Sequence, residues 1–369
     1  MSAASAQDAA PVEEASAAAP IGTDGDGFEA LWSRPTVYDS DDSGPLDEVR
    51  IVGRVHLDNY ILESDARDER DFLVRRARLG VRARLFDRLE AHVQADIDLE
   101  GGPLYSRLTD AYLAWEFSEA AELAIGKQSV QFTLDGSTSS NELLTIDRSN
   151  VANNLWFTTE YVPGISLSGR SGSWIYNAGV FSGGRAAAEF GDLDDGHFAL
   201  VSGGYDFAAL LGAQEAVLRA DFVHNDPDDE SELARPFERI GSLVFTLDQG
   251  NWGFSGDIAA GDGFAGQSDA WGTTLLPWID LTDRLQLAGR YTYLESDEAN
   301  GLRLGRYENV ATGGRGDRYR EVYAGLNYFI YGHRLKLQTG LTYADMRDRA
   351  DDGGEYEGVT WKSALRLSW

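Results

Sequence analysis

The chain has 369 residues, with 61 carboxylates against 32 basic side chains and a formal net charge of −29. That balance excludes a nucleic-acid partner, whose binding needs a net basic footprint. The absence of cysteine excludes disulfides, thiol nucleophiles and thiolate metal sites. No run approaches the roughly eighteen apolar residues of a membrane-crossing helix.

Residues 1–45 are acidic, Ala-rich and punctuated by Gly and Asp, and read as a mostly disordered N-terminal segment. The stretch "MSAASAQDAAPVEEASAAAP" lacks an apolar core, so it is not an intact signal peptide. "ASA" before Gln7 resembles the small-residue tail at a cleavage site, the expectation for a form whose signal peptide has been removed.

From about Val49 the chain becomes a series of segments with apolar and polar residues in alternation. The first, "VRIVGRVHLDNY", sets Ile51, Val55 and Leu57 on one face and Arg50, Arg54, His56 and Tyr60 on the other. The second, "DFLVRRARLGVRARLF" (71–86), concentrates five arginines in an acidic chain. Its period from 76 to 85 is strictly two: Arg76, Arg78, Arg82 and Arg84 oppose Leu79, Val81, Ala83 and Leu85. On a helix those arginines would spread around the circumference and leave no apolar stripe. Arg75 breaks the pattern and either lies at a rim or bulge or snorkels to the headgroups. Later segments such as "EAVLRADFVH" and "LQLAGRYTYL" place Arg219 and Arg290 on the polar face by the same rule.

Counting such segments gives about sixteen strands. Short connections ("FDRLE", "FSEAAE", "GRSGSW", "LDQGNW", "DLTDRL", "YGHRL") alternate with long ones, among them "LESDARDERD", the stretch 131–163 and the stretch 295–321. A soluble sandwich has no reason for this rhythm. A transmembrane antiparallel β-barrel has one, with short periplasmic turns and long extracellular loops. The chain therefore divides into the tail 1–45 and an all-β barrel over 46–369, with the loop at about 131–163 folded inward. The final "SALRLSW" ends on Trp369, the aromatic terminus of a last barrel strand, and Tyr60, Trp115, Trp174, Trp252, Trp271, Trp278, Tyr343 and Trp361 fit aromatic girdles.

If the apolar face meets lipid, the arginines face a water-filled lumen, where a row of guanidiniums attracts anions. Alternatively they pair with lumen carboxylates such as Asp96, Asp98, Asp110 and Glu116 and brace the wall. The five histidines are scattered without metal spacing, no G-x-S-x-G elbow occurs, and no cofactor, metal or enzymatic activity is expected. "RGD" at Arg315–Asp317 is a tripeptide too common to signify adhesion.

Three stretches resemble the phosphate-selective porin O/P family of Gram-negative outer membranes: "FLVRRARLGVRARLFDRLEAHVQAD", "LTDAYLAWEF" running on through "NVANNL", and "YAGLNYFIYGHRLKLQTGLTYADM". The resemblance covers roughly residues 50–369. It implies a homotrimer of sixteen-stranded barrels in lipid and lipopolysaccharide, each with its third loop as a constriction and an arginine ladder leading to it. Phosphate-selective members also place lysines around that site. Here the loop 131–163 has none, its one basic residue being Arg148, and the whole chain has only Lys127, Lys336 and Lys362. The expectation is passive diffusion of small anionic solutes, phosphate or other oxyanions, past Arg50, Arg54, Arg76, Arg78, Arg82, Arg84, Arg148, Arg219 and Arg290. A general non-selective porin, or a structural or adhesive barrel with a plugged lumen, stays open beside it.

Overall fold

The computed structural model describes residues 25–40, 44–155, 161–182, 190, 196–226 and 236–369. A helix α1 (Gly25–Trp32) and a short strand β1 (Thr36–Asp39) precede the barrel. The barrel strands are β2 (Leu46–Ser64), β3 (Glu69–Leu85), β4 (Leu89–Ile97), β5 (Tyr105–Ser118), β6 (Ala121–Ser129), β7 (Tyr161–Ser171), β8 (Trp174–Ser182) and β9 (His197–Asp206). They continue as β10 (Glu215–Asp226), β11 (Phe237–Asp248), β12 (Trp252–Gly263), β13 (Ala270–Thr282) and β14 (Leu285–Ser296). A two-strand hairpin, β15 (Leu302–Arg303) and β16 (Arg315–Gly316), then interrupts before β17 (Arg318–Tyr331), β18 (Leu335–Arg347) and β19 (Tyr356–Ser368). Neighbouring barrel strands pair antiparallel around the sheet, and β19 pairs with β2 from Gly358↔Ser64 to Ser368↔Arg54, which closes sixteen strands into a cylinder. Closure satisfies the backbone polar groups without an open edge, the condition for crossing lipid with strands.

The alternation in sequence becomes an inside-out burial pattern. On β18, Lys336 is 0% exposed while its neighbour Leu337 is 45% exposed. Leu79, Val81, Val93, Leu113, Ile125, Ile165, Leu243, Ile258 and Leu341 all stand outward and uncovered. That band belongs in hydrocarbon, and the buried polar row belongs to the lumen. Trp115, Trp174, Trp252, Trp271, Tyr343 and Trp361 are exposed on the outside, as girdle residues are. Tyr60 is not a girdle residue: it turns inward, as its phase on β2 predicts, and its ring meets that of Tyr307 at 4.8 Å, tilted by 51°.

One end carries the short turns, including 86–88, 119–120, 172–173, 283–284 and 332–334. Gly172 and Gly332 sit there at φ 58° and 51°, the left-handed conformation that a tight hairpin requires. Phe86 and Asp87 adopt it without being glycine, at φ 56° and 60°. The turn 207–214, absent from the short connections read in sequence, is longer and contains helix α4 (Ala208–Leu211). At the opposite end the segment "LESDARDERD" is not a long loop: β2 and β3 run into it and leave only residues 65–68 between them.

The segment 1–45 lies partly outside the described residues. Its described part is ordered against the short-turn end. Thr36, Tyr38 and Asp39 pair with Arg50, Val49 and Glu48 of β2, below the last residue of β19. The Trp32 indole donates to the Ser368 carbonyl (2.6 Å), and Phe28 stacks on Tyr331. Beside it, the Trp369 ring packs against Gly53, whose missing side chain makes the space, and the two residues exchange both backbone hydrogen bonds (3.0 Å each).

Two long connections fold into the lumen. The stretch between β6 and β7 carries helices α2 (Leu134–Ser137) and α3 (Asn150–Leu155), and that between β14 and β17 carries β15 and β16. Val151 and Leu155 of α3 form one apolar cluster with Leu302 and Leu304 and with wall residues including Leu294, Tyr319, Met346 and Tyr356. The hydrophobic core thus sits inside the barrel.

Candidate functional site: the charged lumen

The inward face of β2, β3 and β4 is built in rungs. Register sets Arg50 beside Arg82, Arg54 beside Arg78 and His56 beside Arg76 on β2–β3. On the next strand Arg78 faces Asp96, Arg82 faces His92 and Arg84 faces Glu90. Rungs two residues apart are roughly 7 Å apart along a strand. Six guanidiniums therefore share one wall because two neighbouring strands carry arginine in the same phase.

The bulge in this ladder explains Arg75. Pairing steps from His56↔Arg76 to Leu57↔Val74, so Arg75 is the extra residue. A bulge sets both of its residues on one side, and Arg75 consequently shares an electrostatic environment with Asp58, Asp147 and Tyr307 in the lumen.

Partners differ along the wall. Arg78 donates to Asp96 (2.7 Å) and to the Tyr161 hydroxyl, and Arg107 takes the other Asp96 oxygen (2.7 Å). Arg82 lies 3.6 Å from Glu90, whose carboxylate also accepts from Tyr112 (2.9 Å). Arg54 donates to Ser140 of the inward loop (2.7 Å). Among the described residues the Nε of Arg50 is buried with no hydrogen-bond partner.

Arg148, Arg219 and Arg290 stand apart from this wall. Arg148 donates to the carbonyls of Asp135 (2.6 Å) and Thr138 (3.0 Å) and so holds its own loop in shape. Arg219 pairs with Asp221 (2.8 Å) and donates to the Thr133 carbonyl (2.9 Å) and Ser137 (2.8 Å). Arg290 pairs with Glu321 (2.7 Å) and reaches Thr145 (2.8 Å) and the Asp147 carbonyl (2.5 Å).

Residues that sequence reasoning passed over complete the attachment of the loop. The Thr133 and Leu134 N–H groups donate to Asp221 (3.2 Å) and Asp257 (2.9 Å). Lys336 donates to the Leu143 carbonyl (2.8 Å), Arg366 to that of Ile146 (3.0 Å), and Lys362 to Asp147 (3.0 Å). Burial alone would raise the Asp147 carboxyl, but Lys362, Arg75 and Arg366 hold it below its ordinary value. The loop contains no lysine, yet two of the three lysines in the chain are bound to it from the wall. Their signal was present in sequence: Lys336, Lys362 and Arg366 lie in the polar phase of β18 and β19.

A closed barrel with an apolar outer band, a charged lumen and an inward loop defines a pore-forming protein of the outer membrane. A family model described as phosphate-selective porin O and P matches residues 49–233, and the chain belongs to that family. The fold is shared with an anion-selective porin from Comamonas acidovorans (TM-score 0.61, 12% identity, 87% of this chain and 99% of that chain). It is also shared with OmpF of Salmonella typhi in complex with daunomycin (TM-score 0.63, 11% identity, 90% and 100%). The trimer form of in-vitro folded OmpT of Vibrio cholerae matches at TM-score 0.50 (11% identity, 87% and 99%). No curated protein matches the chain in sequence. The protein is thus an outer-membrane channel and not an enzyme.

Proposed function

We propose that this channel passes small anions by passive diffusion along the β2–β4 wall, with a weak and broad preference rather than tight phosphate binding. The observation that carries the reading is the grouping of Arg50, Arg54, Arg76, Arg78, Arg82 and Arg84 on two adjacent inward faces. Planar guanidiniums suit phosphate, sulfate and carboxylates. Arg148, Arg219 and Arg290 contribute indirectly, by fixing the loop 131–163 as the constriction. Lys336 and Lys362 are fully engaged beneath that loop, which argues against a lysine-ringed phosphate site. Charges farther off than a Debye length of about 8 Å at physiological salt are largely screened, so the groups close to the arginines dominate the field there.

The working form is a homotrimer in lipopolysaccharide-containing membrane. Two structures that share the fold, one an anion-selective porin and one a trimer, support the anion preference and the trimer respectively. A barrel with a plugged, structural lumen is the second reading, favoured by the apolar cluster of Val151, Leu155, Leu302 and Leu304.

Reversal potentials in a salt gradient across a planar bilayer test the proposal. Wild type is expected to favour anions, and the combined Arg76→Ala, Arg78→Ala, Arg82→Ala and Arg84→Ala variant to shift toward cations. An unchanged potential in a folded variant makes these arginines structural. Absence of conductance supports the plugged barrel.

A further inference from the structure

We infer that residues 302–311 form a releasable lid over the long-loop half of the lumen, fastened with the inward stretch 130–155 through one shared ammonium, Lys362, and released by acid. The inference rests on reading the lumen as a pore.

The lid is seated, not draped. Leu302, Leu304, Tyr307 and Glu308 are all buried. The Asn150 and Asn154 side-chain amides donate to the Arg303 carbonyl (2.8 and 3.0 Å), and the Arg303 N–H donates to the Asn154 oxygen (2.8 Å). Helix α3 thus grips the lid by its backbone, so the two inward segments form one unit. The Tyr307 hydroxyl donates to Asp58, itself paired with Arg366. The Lys362 ammonium lies 4.8 Å over the Tyr307 ring, 3.0 Å from Asp147 and 3.8 Å from Glu308. From outside, Arg67 donates to the Val310 carbonyl (3.0 Å).

The charges around this knot come from every element packed on it. The negative groups are Asp58 of β2, Asp135 and Asp147 of the inward loop, Glu308 of the lid and Glu321 of β17. The positive groups are Arg75 of β3, Arg290 of β14, Arg306 of the lid, and Lys362 and Arg366 of β19. Tyr319 and Tyr356 also face Glu308. Four of the cations are arginines, which keep their charge at any accessible pH, whereas each carboxylate can take up a proton. Acid therefore strips the negative partners and leaves cations facing one another in a buried space, where repulsion is strongest. The lid is not held by the barrel ladder.

Two carboxyls set the order of events. Burial raises Glu308, only partly offset by Lys362, so it takes its proton first, and that protonation favours the closed lid. Asp147 is held below its ordinary value by Lys362, Arg75 and Arg366 against the effect of burial, so its tie persists until pH falls through that lowered value. The lid is accordingly firmest in weak acid, loosens slightly as pH rises and Glu308 ionises, and releases only when pH falls below the ordinary carboxylate range.

The test is single-channel conductance in planar bilayers from neutral pH to pH 3. Wild type is expected to step to a larger conductance level at the acid end. Tyr307→Phe deletes only the hydroxyl that ties the lid to Asp58 and leaves the pairing between strands intact, so its step should move toward neutral pH. Glu308→Gln should keep the acid step and lose the slight loosening at higher pH. A folded barrel that conducts at one level over the whole range overturns the lid and leaves the pore standing, and so does a Tyr307→Phe profile that superimposes on wild type. A folded barrel that conducts at no pH overturns both.

Discussion

On β2–β4 inward guanidiniums stand in rows, Arg50 beside Arg82 and Arg54 beside Arg78, whereas on β14–β19 each inward cation reaches a loop: Arg290 to Thr145, Lys336 to Leu143, Lys362 to Asp147 and Arg366 to Ile146. The residue chemistry is the same on both walls and the surroundings are not. Arg290, Lys336, Lys362 and Arg366 are 0–3% exposed; on the first wall Arg78 (2%) and Arg76 (8%) are buried as well, while Arg50, Arg54, Arg82 and Arg84 keep part of their surface open, 23% for the Arg82 side chain. A desolvated cation is tolerated only with a partner, so the second wall is a set of braces. Like-charged neighbours are tolerated where water and mobile anions reach them, which makes the first wall the one suited to transport.

The comparison breaks most readily on the braced wall. Arg290→Ala should leave Glu321 buried without its guanidinium and cost about 3–5 kcal/mol. The readout is the temperature at which the unboiled barrel loses its folded mobility in an SDS gel. A drop no greater than for an exposed arginine would mean that water reaches this cluster and that the walls do not differ. Arg50→Ala combined with Arg82→Ala should do the reverse, moving the reversal potential toward cations while leaving that temperature almost unchanged. Loss of folding there would turn the rows into braces as well.

Salt sharpens the contrast with no mutation. The Debye length falls from about 10 Å at 0.1 M to about 3 Å at 1 M, so anion preference should shrink over that range while folded-barrel stability stays put, because the braced pairs are shielded from solvent ions. Preference that survives 1 M salt would indicate direct binding at a site rather than a field. The smallest effect is expected at the seam. Trp32→Phe removes the donor to Ser368 and should cost about 1 kcal/mol, lowering the same gel transition slightly with conductance intact.

Much of the first wall could be read from the chain. Arg76, Arg78, Arg82 and Arg84 fall on one face because period two is a local property of extended backbone. Arg75 broke that phase in the sequence, which left a rim, a bulge or a snorkelling side chain open; only the pairing with β2 decides for the bulge. The polar phase of Lys336, Lys362 and Arg366 was equally readable, but the fate of each depended on residues far away: Lys362 and Asp147 are 215 positions apart. Arg290 and Arg219, read from their strands alone, carried no sign that a loop would cover them.

By itself the sequence determined the approximate strand count, the two faces of each strand, most of the alternation of short and long connections and hence the closed barrel, because each follows from residue alternation and local turn chemistry repeated along the chain. Only the tertiary structure decided which cations are spent on holding the inward segments and which remain with the open wall. Closure brings β2 against β19 and sets both within reach of one loop, and a buried charge takes whatever partner that geometry supplies.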